Sequence, residues 1–312
     1  MKPRIAVSIG DPNGIGPEIA LRAHSEVRRL CTPLYFAGFD LLSEAAGRLG
    51  VEIPEGFEHR SPAPAVSITP GIATAESGAY SFLSFKKALE SVEHKECDAV
   101  VTLPVNKEAW MLAGIRYRGH TDALRDFFKR EAIMMLGCEK LYVALYTEHI
   151  PLREVPNRIE KEPLLRFLLD LHRETGAARI GVLGLNPHAG DRGVLGDEET
   201  TIAEAIAEAN EGLSREVFEG PLVPDVAFSP GVRSRYRHIA AMYHDQGLAP
   251  LKALYFDESI NVSLNLPIVR TSVDHGTAYD IAYLPDRTLS LTSYIEAVRA
   301  AVNLSKRRSY RP

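Results

Sequence analysis

An α/β fold of two domains is predicted by three features of the sequence. Short apolar runs alternate with helix-like segments along the whole chain, the order expected of strands joined by helical connections. The length, 312 residues, corresponds to about two domains. No linker stands out between them, so the domains are expected to be tightly packed or interleaved.

The elements follow in order. Residues 5–9 (Ile-Ala-Val-Ser-Ile) read as a strand, and Gly10-Asp11-Pro12-Asn13-Gly14-Ile15-Gly16 as the loop after it. Pro17 suits the first helical position and Glu18 the positive end of a helix dipole, so a helix is expected to about Arg29. Residues 33–37 read as a second strand and 41–49 as a second helix; residues 51–75, rich in Pro, Gly and Ser, read as loops with a short strand. A helix over 77–94 precedes a buried strand over 98–103, which ends at Pro104-Val105-Asn106-Lys107 with a helix after it. Residues 133–135 and 141–147 look like neighbouring strands, 161–174 and 198–211 like helices, and 179–185 and 239–243 like strands. Residues 279–283 open a C-terminal segment that a helix over 294–306 closes.

Composition narrows the function classes. Apolar residues make up 45% and charged residues 25%, enough apolar content for a sizeable core. The formal net charge of −5 speaks against a nucleic-acid partner, whose binding protein is normally basic. No apolar run approaches the roughly 20 residues of a membrane span, and the N-terminus carries no cleavable signal pattern. Cys31, Cys97 and Cys138 are odd in number and lack CxxC spacing, which fits a reducing cytoplasm and small buried side chains rather than a thiolate zinc site. A cytoplasmic protein with no nucleic-acid or membrane partner is expected.

Three of the ten histidines lie just past strand-like runs: His149 after residues 141–147, His188 after 180–185, His244 directly after 239–243. In open α/β sheets ligands bind beyond the carboxyl ends of the strands, so the three could converge. Neutral imidazole is the commonest metal ligand, and three His with an open position is the pattern of a catalytic metal. Their spacing matches no local metal motif, and surface or core histidines with satisfied hydrogen bonds are the alternative. Asp245 is placed to orient His244.

Arg270 sits in the apolar stretch Leu-Asn-Leu-Pro-Ile-Val-Arg-Thr-Ser, residues 264–272, where an uncompensated charge is costly, so an anionic partner such as phosphate or carboxylate is expected. Lys252 follows His244 by eight residues, and Gly119-His120-Thr121-Asp122 reads as a polar turn. The GxxxGxG pattern over residues 10–16 is neither a GxGxxG fingerprint nor a P-loop; it marks a tight turn.

Several of these segments, in the same order, resemble the 4-hydroxythreonine-4-phosphate dehydrogenase family. They are Gly-Asp-Pro-Asn-Gly-Ile-Gly-Pro-Glu (10–18), Gly-His-Thr-Asp (119–122), Leu-Asn-Pro-His-Ala-Gly (185–190), Ala-Met-Tyr-His-Asp-Gln-Gly-Leu (241–248) and Arg-Thr-Ser-Val-Asp-His-Gly-Thr-Ala (270–278). The resemblance runs from residue 10 to about 283. The first loop and His-Gly-Thr-Ala-Tyr-Asp (275–280) are also similar to loops of the wider isocitrate/isopropylmalate dehydrogenase superfamily. Residues 103–107 depart from the usual Gly-Pro-Val-His-Lys, and Asp122 stands where Glu is common.

The resemblance implies two interleaved α/β/α domains, residues 1–130 with 271–312 and residues 131–270, with the active site in the interdomain cleft. It implies a homodimer in which two subunits share each site. His149, His188 and His244 fall on divalent-metal positions, and His120, Thr121, Lys252, Asn261 and Arg270 on substrate positions. Asp225 and Asp245 match supporting acidic residues, with Lys252 a candidate base. Gly14, Gly16, His275, Gly276, Thr277 and Asp280 fall on the cofactor side. The implied reaction oxidises a small phosphorylated hydroxy amino acid with NAD or NADP. Zn²⁺ is favoured by the His-rich ligation, with Co²⁺ or Mg²⁺ as alternatives. A dehydrogenase of erythronate or threonate 4-phosphate, a phosphate acyltransferase-like enzyme and a non-catalytic metal binder are the competing readings.

Overall fold

In the computed structural model, residues 2–285 and 287–309 are described and the chain divides into two units. One comprises Met1–Arg130, Ile260–Val262 and Leu266–Pro312; the other comprises Glu131–Ser259 and Ser263–Asn265. In chain order the first holds β1 (Arg4–Ser8), α1 (Gly16–Leu30), β2 (Thr32–Phe36), α2 (Phe39–Leu49), α3 (Ala75–Glu93), β3 (Ala99–Thr102), α4 (Lys107–Leu112) and α5 (His120–Phe128). The second holds β4 (Ile133–Cys138), β5 (Leu141–Leu145), α6 (Lys161–Thr175), β6 (Ile180–Leu183), α7 (Glu198–Leu213) and β7 (Phe218–Leu222). The single turns α8 (Pro224–Ala227) and α9 (Pro230–Arg233), then β8 (His238–Ala241) and α10 (His244–Tyr255), complete it. β9 (Ile260–Leu264) follows, and the first unit resumes with β10 (Arg270–Val273) and α11 (Thr292–Ser309).

In the first unit β1 pairs with β2 and β3, and β3 with β10, all in parallel. Ile5, Ala6 and Val7 are fully buried, as expected of a central parallel strand covered on both faces. α1 has Pro17 in its first turn, Glu18 near its N-terminus and Arg28 and Arg29 in its last turn, each on the favourable end of the helix dipole. α3 opens with a capping box in which Thr74 and Ser77 satisfy each other's backbone N–H groups. Gly78 lets α3 touch α4: a Cβ there would lie 2.0 Å from the Ala109 carbonyl oxygen. The fully buried Trp110 of α4 donates its indole N–H to Ser81 Oγ at 2.9 Å.

In the second unit β7, β6, β8 and β5 run parallel in that order, and β4 pairs antiparallel with β5. Val143, Leu145, Ile239, Ala241, Leu248 and Leu251 form the centre of its core.

The sequence pattern and the structure differ in several places: β9 is not foreseen, and the short strand expected within residues 51–75 is only an isolated bridge at His59. Residues 279–283, read as the opening of a C-terminal segment, are turns, tied down by Tyr279 OH on Asp11 Oδ2 (2.9 Å) and Tyr283 OH on the Pro12 carbonyl (2.7 Å). The Gly119–Asp122 turn is the start of α5, with Gly119 as its N-cap. β7 contains Gly-Pro and so lacks a strand pattern. α10 contains Gly247 and Pro250, which mask its helical character. β10, Arg-Thr-Ser-Val, is polar in composition yet fully buried. Cys31, Cys97 and Cys138 are buried thiols, and burial pushes Cys31 up to about 12. No described helix is long and apolar enough to cross a membrane.

Candidate metal and anion centres

The second unit brings its histidines to one edge by topology. β5, β8 and β6 are adjacent and parallel, so their carboxyl ends lie together at one side of the sheet, with β8 between the other two. His149 follows β5, His244 is the first residue of α10 directly after β8, and His188 lies in a 3₁₀ segment, Pro187–Gly193, after β6. The His149 and His244 rings have centroids 5.3 Å apart. Two imidazoles on one tetrahedral Zn²⁺ at about 2.1 Å place their centroids roughly 5 Å apart, so this pair fits a shared cation. Asp245 Oδ1 stands 2.7 Å from His244 Nδ1. A carboxylate accepting the Nδ1 proton leaves Nε2 as the lone-pair nitrogen, the tautomer a metal needs. Among the described residues no three His, Cys, Asp or Glu side chains of one chain are grouped closely enough to hold an ion, so His188 does not join that pair as a third ligand within the chain. Asp225, at the start of α8, is exposed, and Lys252 lies on α10 with its ammonium 5.9 Å from the Phe256 ring centre.

The His188 segment has an uncommon backbone. His188, Ala189, Gly190, Asp191 and Arg192 all have positive φ, between 42° and 76°. Each non-glycine residue in that region costs on the order of 1 kcal/mol, so the loop must be held from outside. The buried Glu199 of α7 supplies the hold. Its Oε1 accepts from the Leu185 and Asn186 N–H groups at 2.8 and 2.7 Å, and its Oε2 from Asn186 Nδ2 at 2.9 Å. Gly190 is required beneath it, since a Cβ there would stand 2.6 Å from Glu199 Oε2.

The first unit carries a separate group. Arg270, 2% exposed, begins β10 and donates to Thr102 Oγ1 on β3 at 2.6 Å. Burial brings its guanidinium down to about 9. His120, first residue of α5, is held far below the usual imidazole range, first by burial and then by the Arg270 charge, so its ring is neutral. It packs edge-on against Phe85 (4.8 Å) and Trp110 (5.7 Å). His120 Nε2 and Asn261 Oδ1 are both buried with no hydrogen-bond partner among the described residues. Two orphaned polar atoms and a buried guanidinium suit a polar, anionic ligand. Thr121, half-buried, is the next residue of α5.

The loop over residues 10–16 is buried, and the N–H groups of Asp11, Asn13, Gly14 and Ile15 are committed within the chain. Asp11 N–H donates to the Pro104 carbonyl (2.8 Å), Gly14 N–H to the Asp11 carbonyl (3.1 Å) and Ile15 N–H to the Thr277 carbonyl (3.1 Å). Close packing accounts for both glycines, because a Cβ on Gly14 would lie 2.7 Å from the Thr277 carbonyl oxygen and one on Gly16 2.4 Å from that of Ile9. Asp11 binds Tyr279 OH and Ser77 Oγ, and burial raises its carboxyl despite those bonds. The loop therefore underpins residues 275–280, of which Gly276 and Asp280 are exposed and His275 and Thr277 half-buried. Sequence reasoning gave no role to Thr102 or Glu199, whose importance comes from partners 168 and 13 to 14 residues away.

Comparison with known proteins places these features in context. The sequence profile of the family described as pyridoxal phosphate biosynthetic protein PdxA matches residues 29–301. The chain is 55% identical over 306 residues to the 4-hydroxythreonine-4-phosphate dehydrogenase of Sulfurimonas denitrificans, covering 98% of this chain and 99% of that one. It is 47% identical to the Helicobacter pylori protein of the same name over 304 residues, 96% and 98% of the two chains. The crystal structure of 4-hydroxythreonine-4-phosphate dehydrogenase from Klebsiella pneumoniae superposes with a TM-score of 0.81 at 30% identity, covering 98% of both chains.

Proposed function

Because the chain belongs to the PdxA family of pyridoxal phosphate biosynthetic proteins, we propose that it is a metal-dependent dehydrogenase of 4-phosphooxy-L-threonine, working in the cytoplasm as a homodimer with shared sites. It would oxidise the substrate hydroxyl with NAD or NADP to a 3-oxo acid, which loses CO₂ to leave 3-amino-2-oxopropyl phosphate, a step toward vitamin B6.

The observation that carries this reading is the His149–His244 ring pair with Asp245 on His244 Nδ1. His149, His188 and His244 would hold the divalent cation, the three drawn from two subunits, and nitrogen ligation favours Zn²⁺ or Co²⁺ over Mg²⁺. The chemistry supplied by the bound groups is Lewis acidity at the substrate hydroxyl and a hydride acceptor. Asp245 fixes the His244 ring and its tautomer. Arg270, pinned by Thr102, provides the charge for the phosphate, and neutral His120 offers a ring nitrogen to a polar group of the substrate. Thr121, Asn261 and Lys252 complete the substrate contacts, and Lys252 is the candidate base. Asp225 supports the site from α8. Residues His275, Gly276, Thr277 and Asp280 take the cofactor, with Gly14 and Gly16 setting the loop beneath them.

NADH appearance with 4-phosphooxy-L-threonine, with and without a chelator, tests the reading. Turnover should stop when metal is removed, and His188→Ala should abolish it while the protein stays folded. Undiminished turnover in either case overturns the metal mechanism. A higher kcat/KM with erythronate or threonate 4-phosphate would move the assignment to a sugar-acid dehydrogenase.

A further inference from the structure

Backbone pairing between β6 and β8 stops at Val182 and Ala240. Beyond it the two chains part toward the segments that carry His188 and His244. Gln246, in the first turn of α10, spans the gap: it accepts from the Met242 N–H through Oε1 at 2.8 Å and donates from Nε2 to the Gly184 carbonyl at 2.6 Å. A carboxamide sets an acceptor oxygen beside an N–H donor much as a peptide group does, so it stands in for the next rung of the ladder. On the other side of β8, Thr147 Oγ1 donates to the Met242 carbonyl at 2.7 Å, and Thr147 N–H reaches the same oxygen at 3.2 Å. The peptide of Met242, two residues before His244, is thus the hub. Through Thr147 it is bonded to the segment leading to His149, and through Gln246 to the segment leading to His188.

We infer that Gln246 and Thr147 are positioning residues: Thr147 holds the His149 and His244 strand ends in register within one subunit's ligand pair, and Gln246 fixes the base of the loop from which His188 is presented to the shared site. This rests on the metal reading above but assigns the register to side chains that touch no ligand. Glu199 fixes the His188 loop locally, whereas Gln246 ties that loop's base to the His244 strand end. The chemistry is that of outer partners that orient metal ligands, whose loss typically weakens metal affinity about 10- to 100-fold.

The test is a titration of metal-free protein with Zn²⁺ alone, in competition with a fluorescent chelator, alongside thermal unfolding. Gln246→Leu removes both bonds, and Zn²⁺ affinity should fall about 10- to 100-fold. Gln246→Glu keeps the acceptor for Met242 N–H and loses the donor to Gly184, so it should fall in between. Thr147→Val should weaken Zn²⁺ binding, and Thr147→Ser, which keeps the hydroxyl, should restore it. In turnover assays the metal concentration for half-maximal rate should rise while kcat at saturating Zn²⁺ stays near wild type, a split that general destabilisation does not produce. Should Gln246→Leu fail to fold, Gln246→Glu and the Thr147 pair carry the test. Wild-type Zn²⁺ affinity in all the folded variants would overturn the inference. Absence of Zn²⁺ binding by the wild type would instead overturn the metal reading on which it stands.

Discussion

Replacing Arg270 with Met tests the anion centre most sharply, because two readings of the same charge predict opposite results. The guanidinium is 2% exposed, and burial brings it from its ordinary strongly basic range down to about 9. At about 1.4 kcal/mol per pH unit, the charge carries a desolvation cost on the order of 5 kcal/mol in the ligand-free protein. Its bond to Thr102 Oγ1 returns about 1.5–3 kcal/mol of that cost. Met keeps the length of the aliphatic stem and removes the buried charge, so ligand-free Arg270→Met should be no less stable than the wild type. Inorganic phosphate should favour the wild type. A ligand at 100 times its Kd stabilises by about 2.7 kcal/mol, and that gain should appear in the wild type and vanish in the variant. Calorimetry of both proteins with and without phosphate measures all four values. A ligand-free variant that melts several degrees lower would make Arg270 a structural charge. A variant that keeps its phosphate response would place the anion elsewhere.

Three further outcomes follow from the packing. Glu199→Gln turns an amide toward Asn186 Nδ2, a donor against a donor, so the 187–196 loop should loosen by about 1–3 kcal/mol, read as faster limited proteolysis there. Gly78→Ala puts a methyl 2.0 Å from the Ala109 carbonyl oxygen and should cost about 1–3 kcal/mol or more in urea unfolding as α3 and α4 are forced apart. Asp11, whose carboxyl is raised by burial, contributes stability that is full below its ordinary 3.8 and is lost as pH rises through its higher folded value. Asp11→Asn should therefore gain on the wild type as pH rises from acid to neutral in urea titrations, and a parallel pair of pH curves would refute it.

Much of the second unit's centre was legible before any coordinates. Apolar runs ending in His149, His188 and His244 marked the strand ends, because the burial that makes a strand apolar stops where the chain leaves the sheet. Arg270 was legible for the converse reason, a charge inside an apolar run. What could not be read was the set of side chains that hold these groups. Thr102, Thr147 and Glu199 are ordinary polar residues whose roles exist only once distant strands are neighbours, and Gln246 gains its role from a gap between two strands. The helix α10 was hidden by Gly247 and Pro250, and β10 by its polar composition. The loop over residues 10–16 could be read as a ligand cradle or as a tight turn; the N–H groups of Asp11, Gly14 and Ile15 are spent on the chain's own carbonyls.

That loop also constrains when the protein can finish folding. Asp11 and Pro12 are held by Tyr279 and Tyr283, some 270 residues later, and β3 gains β10 as a partner only after the intervening segment is made. A ribosome delivering the chain from its N-terminus therefore exposes β1, β2 and β3 well before their last partners exist, while all but three residues of the second unit form one continuous stretch, Glu131–Ser259, that can close first. The buried strand β3 must wait for β10, with Thr102 and its partner Arg270 168 residues apart.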